Sequence, residues 1–477
     1  MSRTTKLAAL AIALALAFAS PPLLAADNAE LNQLRQEVDA LRQDYETRMK
    51  ALEARLRQAE TGLAAVPAPA SAGASDKALA TAAPSTVAPP ASPAPAEAAA
   101  TTQASSRGFN PAIGLILSGS YASLSQDPRN YRIGGFLTGG EVGPGVQGFS
   151  LGESELALSA NVDPWFHGAL NLALTADNSA SVEEAYVQTT ALPDGFTLRA
   201  GRFLSGIGYH NEKHAHSWDF VDAPLAYQAF LGGALHQDGL QLRVLLPSAQ
   251  FVELGSEIGA AGPYPSSGGN RARPGTATLF THTGGDIGVS QSWRAGLSML
   301  WARAEDRASD TFDGASNGLT ASFTGTTRLA IIDGVWKWAP NGNAQRTSLT
   351  VQGEYFRRLE SGSLAVDSGG QTLAGSYRST QGGGYAQAVY QFMPAWRVGL
   401  RYDRLDIGNV DASTHAANLY LPDYSPTRAT LMLDWAPSEF SRLRLQYSND
   451  RARYGLTDNQ FFIQYQMSLG SHGAHSF

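Results

Sequence analysis

The sequence of 477 residues contains no cysteine, which excludes disulfide scaffolds, thiolate metal sites and thiol catalysis. It is poor in charge: 16% of residues are Asp, Glu, Lys or Arg, against about 25% in ordinary soluble domains. Basic residues show no surplus. Lys and Arg number 35 against 42 Asp and Glu, a net charge of −7, and that balance argues against nucleic acid as a partner. Long apolar runs are missing after residue 26, so the roughly 20 apolar residues of a membrane-spanning helix occur nowhere downstream. Two classes survive: a soluble protein, or a transmembrane β-barrel, whose strands alternate in polarity and never form long apolar runs.

The first residues point to export. Arg3 and Lys6 precede an apolar stretch from Leu7 to Ala19, then Pro21-Pro22 and a small-residue end at Ala25-Ala26. This order of basic, apolar and cleavable segments predicts a signal peptide over 1–26. Residues 27–63 change grammar: Leu31, Leu34, Val38, Leu41 and Tyr45 are spaced 3-4-3-4, and the series continues through Met49, Leu52, Leu56, Ala59 and Leu63. An amphipathic helix in water cannot bury such a stripe alone, so a coiled coil is expected. Residues 64–106 are almost wholly Ala, Pro, Ser and Thr, a composition that predicts a disordered linker.

From 107 to 477 the period becomes two. Trp293, Ala295, Leu297, Met299 and Trp301 share one face of a segment whose other face holds Arg294, Gly296 and Ser298. Leu443, Leu445 and Tyr447 alternate with Arg442, Arg444 and Gln446, and Phe461, Ile463 and Tyr465 alternate with Phe462, Gln464 and Gln466. Sixteen such segments can be marked between 112–123 and 459–469. Their connections alternate between short turns such as Val162-Asp163-Pro164 and long loops such as 204–234, 305–325, 358–382 and 406–426. Short turns on one side and long loops on the other are the pattern of an outer-membrane barrel. The expected fold class is an all-β transmembrane barrel of about 16 antiparallel strands, with the coiled-coil helix on the periplasmic side. Apolar side chains should face lipid and polar ones the lumen.

This arrangement resembles the phosphate-selective porin O and P group of Gram-negative outer-membrane porins. The segment FTLRAGRFLSGIG, Phe196 to Gly208, is similar to that group's strand ending in a Gly-basic-Phe turn, and the aromatic last strand with terminal Phe477 is similar to the signal read by the outer-membrane barrel assembly machinery. The stretch NEKHAHSWDFVDAPLAYQAFLGG, Asn211 to Gly233, resembles proteins often labelled zinc-regulated TonB-dependent outer membrane receptors. Such receptors carry a folded plug in a barrel of about 22 strands, whereas sixteen strands already consume the chain from Phe109 onward. The resemblance implies outer-membrane lipid as surroundings, the assembly machinery as a partner, a homotrimer, and a third loop folded inward to narrow the pore.

That third loop, 204–234, holds His210, Glu212, Lys213, His214, His216, Asp219 and Asp222, the residues expected at a pore constriction. Imidazoles are suitable zinc ligands, so His210, His214 and His216 are the candidate metal set, for transient zinc only; His472 and His475 form a weaker second pair. No His-Glu-x-x-His pattern occurs, no enzymatic activity is expected, and no resident cofactor is implied. With ordinary pKa values the three loop histidines would gain charge between pH 7 and pH 5. Alternation assigns to the lumen Arg199, Arg243, Arg294, Arg397, Arg401, Arg428, Arg442 and Arg444, with Glu155, Glu184, Asp333, Glu354, Asp403 and Asp434. Eight arginines against six carboxylates set only a small anionic preference. The expected function is an outer-membrane porin passing small hydrophilic solutes or ions by diffusion. The alternatives are a zinc-responsive uptake protein, and a structural tether acting through the coiled coil, which predicts a sealed lumen.

Overall fold

The computed structural model describes residues 111–470 apart from 140–141, 176–178, 269–271, 313–317, 369–370, 414–418 and 420–422. The signal peptide, coiled coil and linker, and His472, His475 and Phe477, lie outside the described residues. Seventeen strands follow in chain order: β1 (Ala112–Leu124), β2 (Gly148–Leu151), β3 (Ser154–Asn161), β4 (Phe166–Leu174), β5 (Ala180–Thr189), β6 (Phe196–Leu204), β7 (His236–Leu245), β8 (Phe251–Ala260), β9 (Pro274–Ile287), β10 (Gln291–Phe312), β11 (Gly318–Trp338), β12 (Ser348–Ser368), β13 (Gln371–Met393), β14 (Trp396–Asp411), β15 (Thr427–Ser438), β16 (Ser441–Arg451) and β17 (Asp458–Gly470). Each pairs antiparallel with its chain neighbour, except that β2 and β3 both pair with β1 and form two halves of one broken wall strand. The break falls at Gly152, where a Cβ would lie 2.4 Å from Ser118 Oγ. Pairing of β1 with β17, Tyr121 opposite Ile463, closes the ring. The result is a closed antiparallel barrel of sixteen wall strands.

The outward face is the apolar one. Leu240, Ile258, Leu279, Leu297, Ile332 and Leu400 are exposed along its middle, while Trp165, Phe166, Phe196, Phe251, Trp435 and Phe440 are exposed near the short turns. A soluble barrel would hide these side chains; an apolar band with an aromatic girdle is what a bilayer requires. No helix among the described residues is long and apolar enough to cross a membrane. The parity expected from alternation holds: Leu445, Tyr447, Ile463 and Tyr465 face out, and Arg444, Gln446, Phe462 and Gln466 face in.

Two of the expected loops are strand instead. Residues 305–325 and 358–382 mostly continue the hairpins β10–β11 and β12–β13, whose strands run 21 to 23 residues. The long connections that remain on the loop side include 125–147, between β1 and β2, and 205–235, between β6 and β7.

The barrel is not hollow. Its main apolar cluster joins Tyr131, Ile133 and Phe136 of the first loop to the short helix α1 (Leu225–Leu231) of the third, and seats both on Leu300, Leu329, Ile331, Phe356 and Leu405 of the wall. All seven residues of α1 are buried. Inward-facing apolar residues on these strands break the simple lumen pattern because they meet loop side chains and not water.

Candidate functional site: the loop inside the barrel

Residues 205–235 are tied to the wall around much of its circumference. Asn211 closes the base of the loop: its Nδ2 donates to the carbonyls of Ser205 (2.8 Å) and Leu235 (3.0 Å), and its Oδ1 accepts from Leu235 N (2.7 Å). Glu354 of β12 accepts from His210 N (2.8 Å) and from the hydroxyls of Tyr227 and Tyr385 (both 2.7 Å). Gly208 makes this approach possible: its φ is +67°, and a Cβ there would sit 2.4 Å from Glu354 Oε2. Farther along, Asp222 pairs with Arg401 (2.9 Å) and Arg428 (2.5 Å) and accepts from Gln446 Nε2 (2.8 Å). Burial pushes the Asp222 carboxyl up, but the two guanidiniums outweigh it and hold it below the usual range. The ends of α1 meet wall charges of the favourable sign: Asp403 accepts from Leu225 N (2.8 Å), and Arg358 donates to Ala229 O (3.2 Å).

The first half of the loop differs. Glu212 bridges Arg243 (2.6 Å) and Arg294 (2.8 Å), and Lys213 lies over the Tyr209 ring at 3.9 Å. His214 reaches three carboxylates: Nδ1 is 3.0 Å from Glu183 and 3.5 Å from Glu155, and Nε2 is 3.0 Å from Glu184. His216 stacks on it with ring centroids 5.6 Å apart and places Nδ1 2.8 Å from Glu155. Burial opposes the charged form of His214, yet its hydrogen bonds to Glu183 and Glu184 outweigh that and raise its pKa well above 6.5. His210 is the reverse case. It is enclosed by Trp218 and Tyr227, and burial, with Lys213 and Arg401 nearby, pushes its pKa well below 6.5.

No described protein family matches the sequence. An uncharacterised protein of Aquifex aeolicus is 30% identical over 400 residues, which cover 78% of this chain and 81% of that protein. The chain belongs to the family of that Aquifex protein. Solved structures resemble the barrel more loosely. A loop-deletion form of OmpT, an outer membrane protein of Vibrio cholerae, aligns at TM-score 0.48 and 10% identity over 76% of this chain and 99% of its own. The outer membrane channel DcaP of Acinetobacter baumannii aligns at 0.46 and 11% over 76% and 98%. An anion-selective porin of Comamonas acidovorans aligns at 0.46 and 12% over 76% and 100%. Likenesses this distant carry neither solute nor assembly across, so the chemistry of this family member rests on its own residues.

The structure divides the residues singled out in the sequence. Glu212, Lys213, His214 and His216 line open cavities, whereas His210 and Asp222 are buried in packing and Asp219 pairs with Arg397 (3.1 Å). The three-histidine set is therefore not one site. His214 and His216 share carboxylates, and His210 stands apart among aromatic rings because the loop is not helical there. The expected gain of three charges on acidification fails with it, since His214 favours the charged form and His210 resists it. The lumen set divides likewise. Arg199, Arg243, Arg294, Arg397, Arg442, Glu155 and Glu184 line the two cavities on the short-turn side. Arg401, Arg428, Arg444, Asp333, Glu354, Asp403 and Asp434 are buried, several of them bonded to the loop. They face inward as expected but are covered.

Glu183 was missed. Strict alternation sends it to lipid if Glu184 faces in, and a carboxylate in hydrocarbon is costly. The register of β4 against β5 shifts between Asn171 and Leu172, opposing Asn171 to Glu184 and Leu172 to Val182. Glu183 is the unpaired residue of this bulge, and the bend aims both carboxylates inward. The adjacent Glu-Glu pair in a membrane strand was the available signal.

Proposed function

We propose that this chain is an outer-membrane porin through which small hydrophilic solutes or ions diffuse, narrowed by the loop 204–234. The supporting observation is a loop lying inside a closed barrel with water-sized space left on both sides of it. Cavities of about 740 and 540 Å³ open toward the short turns, and one of about 360 Å³ lies toward the long loops. A sealed tether has no use for such space. In this reading Glu212, Lys213, His214 and His216 form the constriction, and Arg199, Arg243, Arg294, Arg397 and Arg442 form a basic vestibule against Glu155 and Glu184. The short turns face the periplasm, as does the coiled coil of 27–63 beyond the linker 64–106. The signal peptide directs export, the barrel assembly machinery inserts the product, and the coiled coil supports a homotrimer.

Single-channel recording of purified protein in planar bilayers tests the reading. Discrete conductance steps are expected, enlarged when residues 211–233 are replaced by a short Gly/Ser bridge. An electrically silent wild type would leave the structural reading in its place. Labelling with a water-soluble thiol reagent maps the route: Arg442→Cys should react, Leu445→Cys in the lipid face should not, and Arg444→Cys, under the Trp218 carbonyl (2.8 Å), should react only once the loop is shortened. Reaction at 445 in place of 442 would reverse the barrel's faces.

A further inference from the structure

His214 lines all three cavities, the two toward the short turns and the one toward the long loops. Lys213 and Leu204 each border both sides as well. Among the described residues the His214 ring thus stands between the space on one side of the loop and the space on the other. Around that ring the wall supplies carboxylates from two strands, Glu155 of β3 and the bulge pair Glu183 and Glu184 of β5. One ligand atom each from Glu155, Glu183 and His214 lies within 4.8 Å of the others. Glu155 is 3% exposed, and its Oε2 accepts no hydrogen bond although both imidazoles approach it. That oxygen lies 2.8 Å from His216 Nδ1 and 3.5 Å from His214 Nδ1.

Three carboxylates in a desolvated cluster are stabilised by positive charge among them, which the His214 imidazolium or a bound metal cation can supply. The other charged or titratable groups facing them are His216 of the loop, Glu153 beside β3, Arg199 of β6 and His236 of β7. A mixed imidazole and carboxylate donor set is chemistry for first-row transition cations, whereas Mg²⁺ and Ca²⁺ take oxygen alone. Small rotations of these side chains would bring the donors to the roughly 2.0–2.2 Å of zinc coordination.

We propose that a divalent transition-metal ion binds between His214, Glu155 and Glu183, with Glu184 and His216 adjoining, and closes the passage between the two sides of the barrel. Its ligands come from the loop and from two wall strands, so binding clamps the loop to the wall and fixes positive charge at the narrowest point. The closure rests on the porin reading; the binding does not.

Two measurements on full-length protein keep these separable, with Zn²⁺ as the probe. Calorimetry on chelator-stripped protein in detergent should show saturable uptake of one ion per chain, weakened about 10-fold or more by Glu155→Gln or by His214→Gln. Bilayer recording should show conductance lost on adding Zn²⁺, restored by chelator, and insensitive to Zn²⁺ in both variants. Absence of uptake by the wild type, or uptake unaltered in both variants, overturns the site. Uptake without loss of conductance overturns the closure. A wild type silent with and without chelator overturns the porin reading, and calorimetry then decides the site by itself.

Discussion

The two halves of the inward loop are built to opposite rules. Residues 220–231 are packed: α1 lies on Phe356 and Leu405 with the first loop against it, and Asp222 at its approach is paired with the buried Arg401 and Arg428. Residues 212–217 keep one side on open space and carry two imidazoles, an ammonium and a carboxylate toward it. One connection thus contains an anchor and a working edge. The wall decides which is which, because around α1 the strands β12 to β16 present apolar side chains and paired ions, whereas around the working edge β3 to β7 present carboxylates and arginines with space between them. Substitutions in the anchor should register as stability, and those in the working edge as conduction and ion binding.

The largest effect is expected at Arg428. Its guanidinium lies 2.5 Å from Asp222, 3.6 Å from Asp403 and 3.9 Å from Asp450. Arg428→Met leaves Asp450 buried without its cation and leaves Asp222 and Asp403 to share Arg401 alone, a loss of about 3 kcal/mol. The urea midpoint in detergent micelles should fall accordingly. An unchanged midpoint would mean that water reaches the anchor and that the two halves do not differ as described.

Tyr227→Phe should cost less, about 1.5–3 kcal/mol for a buried hydrogen bond to a carboxylate. The hydroxyl donates to Glu354 (2.7 Å) and accepts from Asn211 N (3.2 Å), so it joins α1 to the turn that leads into the working edge. Its removal should also increase open-channel noise in bilayer recordings, and a variant with wild-type stability and noise would place the join elsewhere.

The wall was more legible in the sequence than its contents. Lipid on one side and polar lumen on the other impose a period of two on every membrane strand, so Leu445 and Arg444 declare their faces without any knowledge of the fold. Toward the hairpin tips the outward apolar face ends: Ser361, Gly362 and Ser363 pair with Arg378, Tyr377 and Ser376, and the apolar side chains there, Tyr377, Leu364 and Val366, pack inward on Phe323, so the hairpin reads as loop. The anchor is hidden for a different reason. Tyr131, Ile133 and Phe136, and the apolar residues of α1, have partners far away in the chain, and no local period records them. The working edge stands between these cases. His214 and His216 are visible as ligand-type residues and Glu155 and Glu184 as lumen carboxylates, but Glu183, the further partner of His214, is turned inward by a bulge that alternation alone would deny.

The smallest effect sharpens the comparison from the working edge. Glu212 is one-fifth exposed at its side chain and shared between Arg243 and Arg294. Burial pushes its carboxyl up, but Arg243 and then Arg294 pull it down further, to about 2 from an ordinary 4.5. A carboxylate depressed in this way stabilises the folded state fully above its unfolded pKa, and that contribution is lost as pH falls from about 4.5 through about 2. Glu212→Gln removes the group, so the variant should be less stable than the wild type near pH 7 by about 1 kcal/mol, a modest figure because the pair is partly screened. The gap between the two should close as the pH is lowered across that window, and urea midpoints measured at pH 7, 4 and 3 would follow it. A gap that persists unchanged at pH 3 would assign the stability of this edge to packing, and the loop would then be anchored along its whole length.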